Sequence, residues 1–95
     1  MILTLEEAKE ALRLCHDEDD EMISNYINSI PDYLETKTGS RWDKEPINPL
    51  VKTLAGYLVV SMYEMDSKSY EKLIDNLLMV LTSMVRNKNE WINKK

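Results

Sequence analysis

The residues with the most chemical potential sit together. Cys15 and His16 stand directly before five unbroken acids, Asp17, Glu18, Asp19, Asp20 and Glu21. Such a run could hold a cation, serve a nucleophile, or open a helix. A calcium loop of the EF-hand type needs glycine at its sixth position and a bidentate glutamate at its twelfth. Counted from Asp17, those positions are Met22 and Asn28. Zinc needs more thiolate or imidazole than one Cys and one His, adjacent in the chain, can supply. A Cys–His nucleophile pair is normally assembled by the fold and not by adjacency. The third chemistry fits: Asp17 is a good N-cap, and Glu18 to Glu21 would fill a first helical turn, where the helix dipole favours negative charge.

The rest of the chain adds no catalytic constellation. It lacks a G-x-S-x-G turn, a glycine-rich phosphate loop and an H-E-x-x-H helix. Glu6 and Glu10 read as ordinary surface carboxylates. The sequence therefore predicts no catalytic residue, no metal ligand and no cofactor, and points away from an enzyme.

The elements that would carry these residues are helical. Glycine occurs twice and phenylalanine not at all, a balance that favours helix over sheet. Thr4-Leu5-Glu6-Glu7 forms a capping box, and Leu5, Ala8 and Leu12 follow at helical spacing to an end near Leu14 or Cys15. The second helix starts in the acid run and carries Ile23, Tyr26, Ile27, Ile30, Tyr33 and Leu34 on one stripe. Pro31 interrupts it, and because the stripe continues, a kink is expected there instead of a stop. Gly39 is a natural helix end. Residues 39–48 form a loop with Trp42 as a plug for the bundle. Asn48-Pro49 then opens a third helix, apolar on most faces from Leu50 to Met65 and so expected at the centre or against a neighbouring subunit. After a break at Asp66 to Ser69, a fourth helix presents Leu73, Leu77, Leu78, Leu81, Met84 and Val85 as one stripe. The expected fold is a small all-α bundle of about four helices with a flexible tail: a helical domain over residues 1–86 and a basic segment over 87–95.

Ninety-five residues make one domain with a modest core, for which oligomerisation is a common support. One cysteine excludes an internal disulfide. No apolar run reaches the ~18–20 residues of a membrane span, and "MILTLEEAKE" lacks the basic start of a signal peptide. The expectation is a soluble, intracellular product. The net charge of −5 is unevenly spread. Residues 1–35 carry ten acids against two bases, whereas residues 86–95 carry four bases against one acid. Opposite charge at opposite ends suits self-association or docking on a charged partner. In the tail, Arg86, Lys88, Lys94 and Lys95 flank Trp91, and Asn87, Asn89 and Asn93 give little support for helix. Trp and Arg are enriched at interface hot spots, so these five residues are the candidate partner interface, expected to order on docking.

The stretch "LTLEEAKEALRLCHDEDDEMISNYINSIPDYLETKTG" resembles the opening of the small head–tail connector proteins of tailed bacteriophages. "PINPLVKTLAGYLVVSMYEMDS" is similar to that family's second core helix, ending in Tyr63-Glu64, and "NLLMVLTSMVRN" to its closing helix, with Arg86 in the place of the family's arginine. The likeness covers roughly residues 3–87 in order. Pro31, the missing arginine after Tyr63-Glu64, and the missing Pro and Gly before the last helix depart from the pattern.

The resemblance implies a structural virion protein, made in the bacterial host cytoplasm and placed at the head–tail junction. It further implies a ring of roughly twelve copies with a head-to-tail cyclic interface. Such a ring sits under the portal protein, extends the DNA channel and meets the tail or stopper protein, with DNA only passing through. An acidic lining would let DNA slide, because phosphate binding depends on Lys and Arg. Two other classes remain open: a small DNA-binding packaging component, and a monomeric helical regulator. Against the first, the opening helices are acidic and no helix carries a groove-reading cluster of Arg, Lys, Asn and Gln.

Overall fold

The computed structural model describes the backbone of residues 2–65 and 67–93, and the side chains of residues 2–65 and 68–86. Four helices run in order: α1 (Leu5–Leu12), α2 (Asp20–Thr38), α3 (Pro49–Glu64) and α4 (Ser67–Asn93). The described residues are all-helical, without a strand.

The capping box at α1 forms in full. Thr4 Oγ1 accepts from the Glu7 amide at 3.1 Å, and Glu7 Oε1 accepts from the Thr4 amide at 3.0 Å. The helix ends earlier than its residue pattern suggests. Arg13 takes the left-handed conformation, φ 59°, and the amides of Arg13 and Leu14 donate back to Glu10 and Lys9. This closure satisfies two terminal carbonyls and turns half-buried Leu14 onto the core.

The start of α2 also differs from the sequence reading. Its N-cap is Asp19, not Asp17, and the Asp19 side chain makes no capping bond. Tertiary partners have taken the carboxylates, as described below. Ile23, Ile27, Ile30, Leu34 and Thr38 form the buried face. Pro31 lies inside the continuous helix. The apolar stripe holds both sides of the lost backbone donor against the core. Gly39 closes α2 at φ 91°, where a side chain would be strained.

The loop after α2 is tied down by its tryptophan. Half-buried Trp42 donates its indole N–H to Thr38 Oγ1 at 2.9 Å, while the Thr38 hydroxyl donates to the Leu34 carbonyl at 2.8 Å. Asn48 then caps α3 through a 2.8 Å bond from the Leu50 amide, with Pro49 in the first turn.

The centre of the bundle is α3. It packs against α1, α2 and α4, and Val51, Leu54, Ala55, Leu58 and Val59 are buried. Burial of each large aliphatic side chain there contributes about 1.5–3 kcal/mol. The fourth helix is less evenly covered. Among the described residues of α4, Ile74, Leu78 and Leu81 are buried, whereas Leu73, Val80 and Met84 are exposed. The single stripe read from the sequence thus divides into a core line and an open flank. Geometry explains the division: α2 and α3 cover one stripe of α4, and its apolar residues span more than that stripe. The backbone of α4 also continues to Asn93, past the expected end near Arg86.

Candidate partner-binding surfaces

The acid run lies where α1, α2 and α3 meet. Lys9, projecting from α1, reaches Asp17 at 2.5 Å and Asp20 at 3.0 Å. The Tyr63 hydroxyl, from the last turn of α3, donates to Asp19 at 2.5 Å. Three of the five acids are therefore engaged within the chain, and Glu18 and Glu21 are exposed. Hydrogen bonding to Lys9 holds the Asp17 carboxyl below the usual aspartate range. The reciprocal bonds raise Lys9, and the bond to Asp19 raises the Tyr63 phenol. The carboxylates act as fastenings between helices. Cys15 and His16 are exposed in the same turn, and no group of three or more His, Cys, Asp or Glu among the described residues could hold a metal ion.

A second surface, not legible as a motif, is an open groove of about 800 Å³ between α1 and α3. Thr53, Gly56 and Val60 of α3 form its floor, spaced so that they share one helical face. Glu7, Glu10 and Ala11 of α1 form one wall, and Tyr70 at the start of α4 stands on the other side. Tyr57 braces that side, its ring centroid 5.9 Å from that of Tyr70. Lys52 and Glu7 cross one end at 2.8 Å. The Lys52 ammonium and, after it, the Thr4 amide hold the Glu7 carboxyl below the usual range. Glu10, Glu64 and Arg13 also line the groove, and none of the three forms an ion pair among the described residues. The sequence signal that could have found this site is Gly56, a glycine in the middle of a strongly helical pattern.

The third surface is the open flank of α4. Leu73, Val80 and Met84 fall seven and four residues apart, with half-buried Leu77 between them. Seven and four residues are two turns and one, so these side chains form a continuous ridge. Of the tail residues singled out by sequence, Arg86 is exposed and ends the described side chains. The side chains of Lys88 and Trp91, and Lys94 and Lys95 altogether, lie outside the described residues.

The fold and these surfaces agree with a comparison of the chain against protein families. The family model described as "Phage gp6-like head-tail connector protein" matches residues 2–81. That span runs from the core residue Ile2 to Leu81, the last fully buried residue among those described in α4.

The chain belongs to this connector family.

It is accordingly a phage head–tail connector protein, a structural component of the junction for which the family is named. No match is found among curated proteins or among solved structures. The matched span takes in the acid fastening, the groove and most of the α4 flank, and stops before the basic tail. No helix among the described residues is long and apolar enough to cross a membrane.

Proposed function

We propose that this connector protein acts as one subunit of a ring beneath the portal, which extends the DNA channel and gives the tail its docking platform. The observation that carries this reading is the ridge of Leu73, Val80 and Met84. A small bundle leaves an apolar line along its longest helix uncovered, and contiguous exposed apolar surface marks an interaction site. A neighbouring subunit would cover it. The charge distribution supports the same arrangement, with an acidic front and a basic tail able to meet between successive copies or on an acidic portal surface. In this reading residues Arg86 to Lys95 complete the attachment, with Trp91 as the anchor and the lysines guiding encounter. The net negative front also suits a channel through which DNA passes without sticking.

The test is attachment to portal-bearing heads lacking their own connector. Val80→Asp with Met84→Asp places charge on the ridge without touching the core. The double variant should keep its helicity and melting temperature yet fail to join heads. Deletion of residues 87–95 should have the same consequence. Normal attachment by either variant would overturn the reading.

A further inference from the structure

We infer that the groove between α1 and α3 receives the C-terminal segment of α4 from a second copy of this chain, an inference that rests on the ring reading above. A glycine in a helix interior is less stable than alanine by roughly 0.5–1 kcal/mol. Such a residue usually answers to a close neighbour. Here a Cβ at Gly56 would meet nothing within 4 Å. No atom of the described chain requires the missing side chain. A glycine in open space on a groove floor is what a backbone approached from outside requires, because the absent Cβ lets a second helix come close.

The groove also has the chemistry of a peptide cleft. Val60, Tyr57 and Tyr70 supply apolar and aromatic surface; of the charges that line it, Lys52 is paired with Glu7, which leaves the carboxylates of Glu10 and Glu64 against the single guanidinium of Arg13. Its occupant should therefore be a short, apolar, basic segment. Residues 84–95, "MVRNKNEWINKK", match that description: Arg86, Lys88, Lys94 and Lys95 surround Trp91 and Ile92, with Glu90 the one acid. A tryptophan flanked by bases suits an aromatic cleft in which carboxylates outnumber cations, three to two.

The segment cannot come from the same molecule. Tyr70 of α4 already lines the groove, and α4 is continuous from Ser67 to Asn93. At 1.5 Å per residue, position 91 stands roughly 30 Å along the helix from Tyr70. The helix carries its own end away from its own groove and presents it to a neighbour. Donor end and acceptor groove are different surfaces, so the contact is heterologous and repeats from copy to copy until the ring closes.

A synthetic peptide of residues 84–95 titrated into the isotope-labelled full chain tests the assignment by NMR. Sedimentation velocity of the same samples reads any assembly that the peptide has to displace. The amides of Thr53, Gly56 and Tyr57 should shift, and a peptide carrying Trp91→Ala should lose the effect. In the chain, Gly56→Leu fills the cleft from a position with open space and should weaken the peptide by roughly tenfold or more, as blocking an interface centre does. Glu10→Lys with Glu64→Lys is the second variant, reversing the rim charge without entering the helix floor. It should weaken the native peptide and favour one in which Lys88 and Lys94 are replaced by Glu. The inference fails if the peptide does not bind up to millimolar concentration, if its shifts fall on Asp17 to Glu21, or if both groove variants bind it undiminished. The ring reading is judged separately, by attachment of the ridge variants to heads: failure at the groove with loss of attachment in the ridge variants leaves the ring standing on other contacts.

Discussion

The two ends of this molecule treat their distinctive residues in opposite ways. At the α1–α2 corner, the densest charge in the chain is largely answered from within: Lys9 holds Asp17 and Asp20, and Tyr63 holds Asp19. Along α4, apolar residues that would ordinarily be buried remain open as Leu73, Val80 and Met84. A conspicuous charged motif thus serves the fold, and an inconspicuous apolar pattern is left for a partner. The difference teaches that chemical potential in a sequence is a poor guide to function until internal partners have been counted. A carboxylate with a lysine at 2.5 Å has its role in holding helices together, whereas an aliphatic side chain without cover still has surface to bury.

This contrast can be broken by substitution. The largest effect is expected in the sealed centre. Leu54→Ala, at a fully buried position of α3, should lower the unfolding free energy by about 2–5 kcal/mol. Met84→Ala on the open flank should stay within about 0.5 kcal/mol of the parent. Equal losses in urea titrations of the two variants would show that α4 is not divided into a core line and a free flank.

Tyr63→Phe comes next. It removes the hydroxyl that joins α3 to Asp19 and leaves the ring in place, so the melting temperature should fall by less than in Leu54→Ala but by more than in Met84→Ala. A melt identical to that of the parent would mean that the acid run does not fasten the helices. Gly56→Ala should act in the opposite direction. With open space for the new methyl, the variant should gain about 0.4–1 kcal/mol, chiefly because the unfolded chain loses freedom. Thermal unfolding showing a loss instead would place an unseen neighbour over the groove floor within one subunit.

The smallest effect concerns pH. The folded-state values of Asp17 and Glu7 are lowered, so the stability they add is complete above the ordinary carboxylate values and disappears as pH falls through the lower folded values. Lys9 is raised, so its contribution is complete below the ordinary lysine value and lost as pH climbs through the higher folded one. Stability should be flat with respect to these groups between about pH 5 and pH 9, given ordinary values of about 4 for carboxylates and 10.4 for lysine. A carbon-detected titration should find Asp17 below its ordinary range in the parent and close to that range in Lys9→Met. No upward movement in the variant would remove the proposed fastening.

What the sequence determined by itself was local. Thr4 and Glu7 cap α1, Asn48 and Pro49 open α3, and Gly39 closes α2, because each of these devices is built from residues four or fewer positions apart from the backbone groups they satisfy. The core of α2 and α3 was legible for a related reason: Ile23, Ile27, Ile30 and Leu34, or Leu54 and Leu58, repeat at the period of one helix. Everything that depended on a second helix had to wait for the tertiary structure. The sequence placed the α2 cap at Asp17, and the fold moved it to Asp19 once Lys9 and Tyr63 had claimed the carboxylates from other elements. It read Leu73, Leu78, Leu81 and Met84 as members of one stripe of α4, and only the positions of α2 and α3 decided that Leu78 and Leu81 are covered while Leu73 and Met84 are not. The groove shows the limit most plainly. Its floor is on α3, its walls are on α1 and α4, and no periodicity within one helix encodes the space between three.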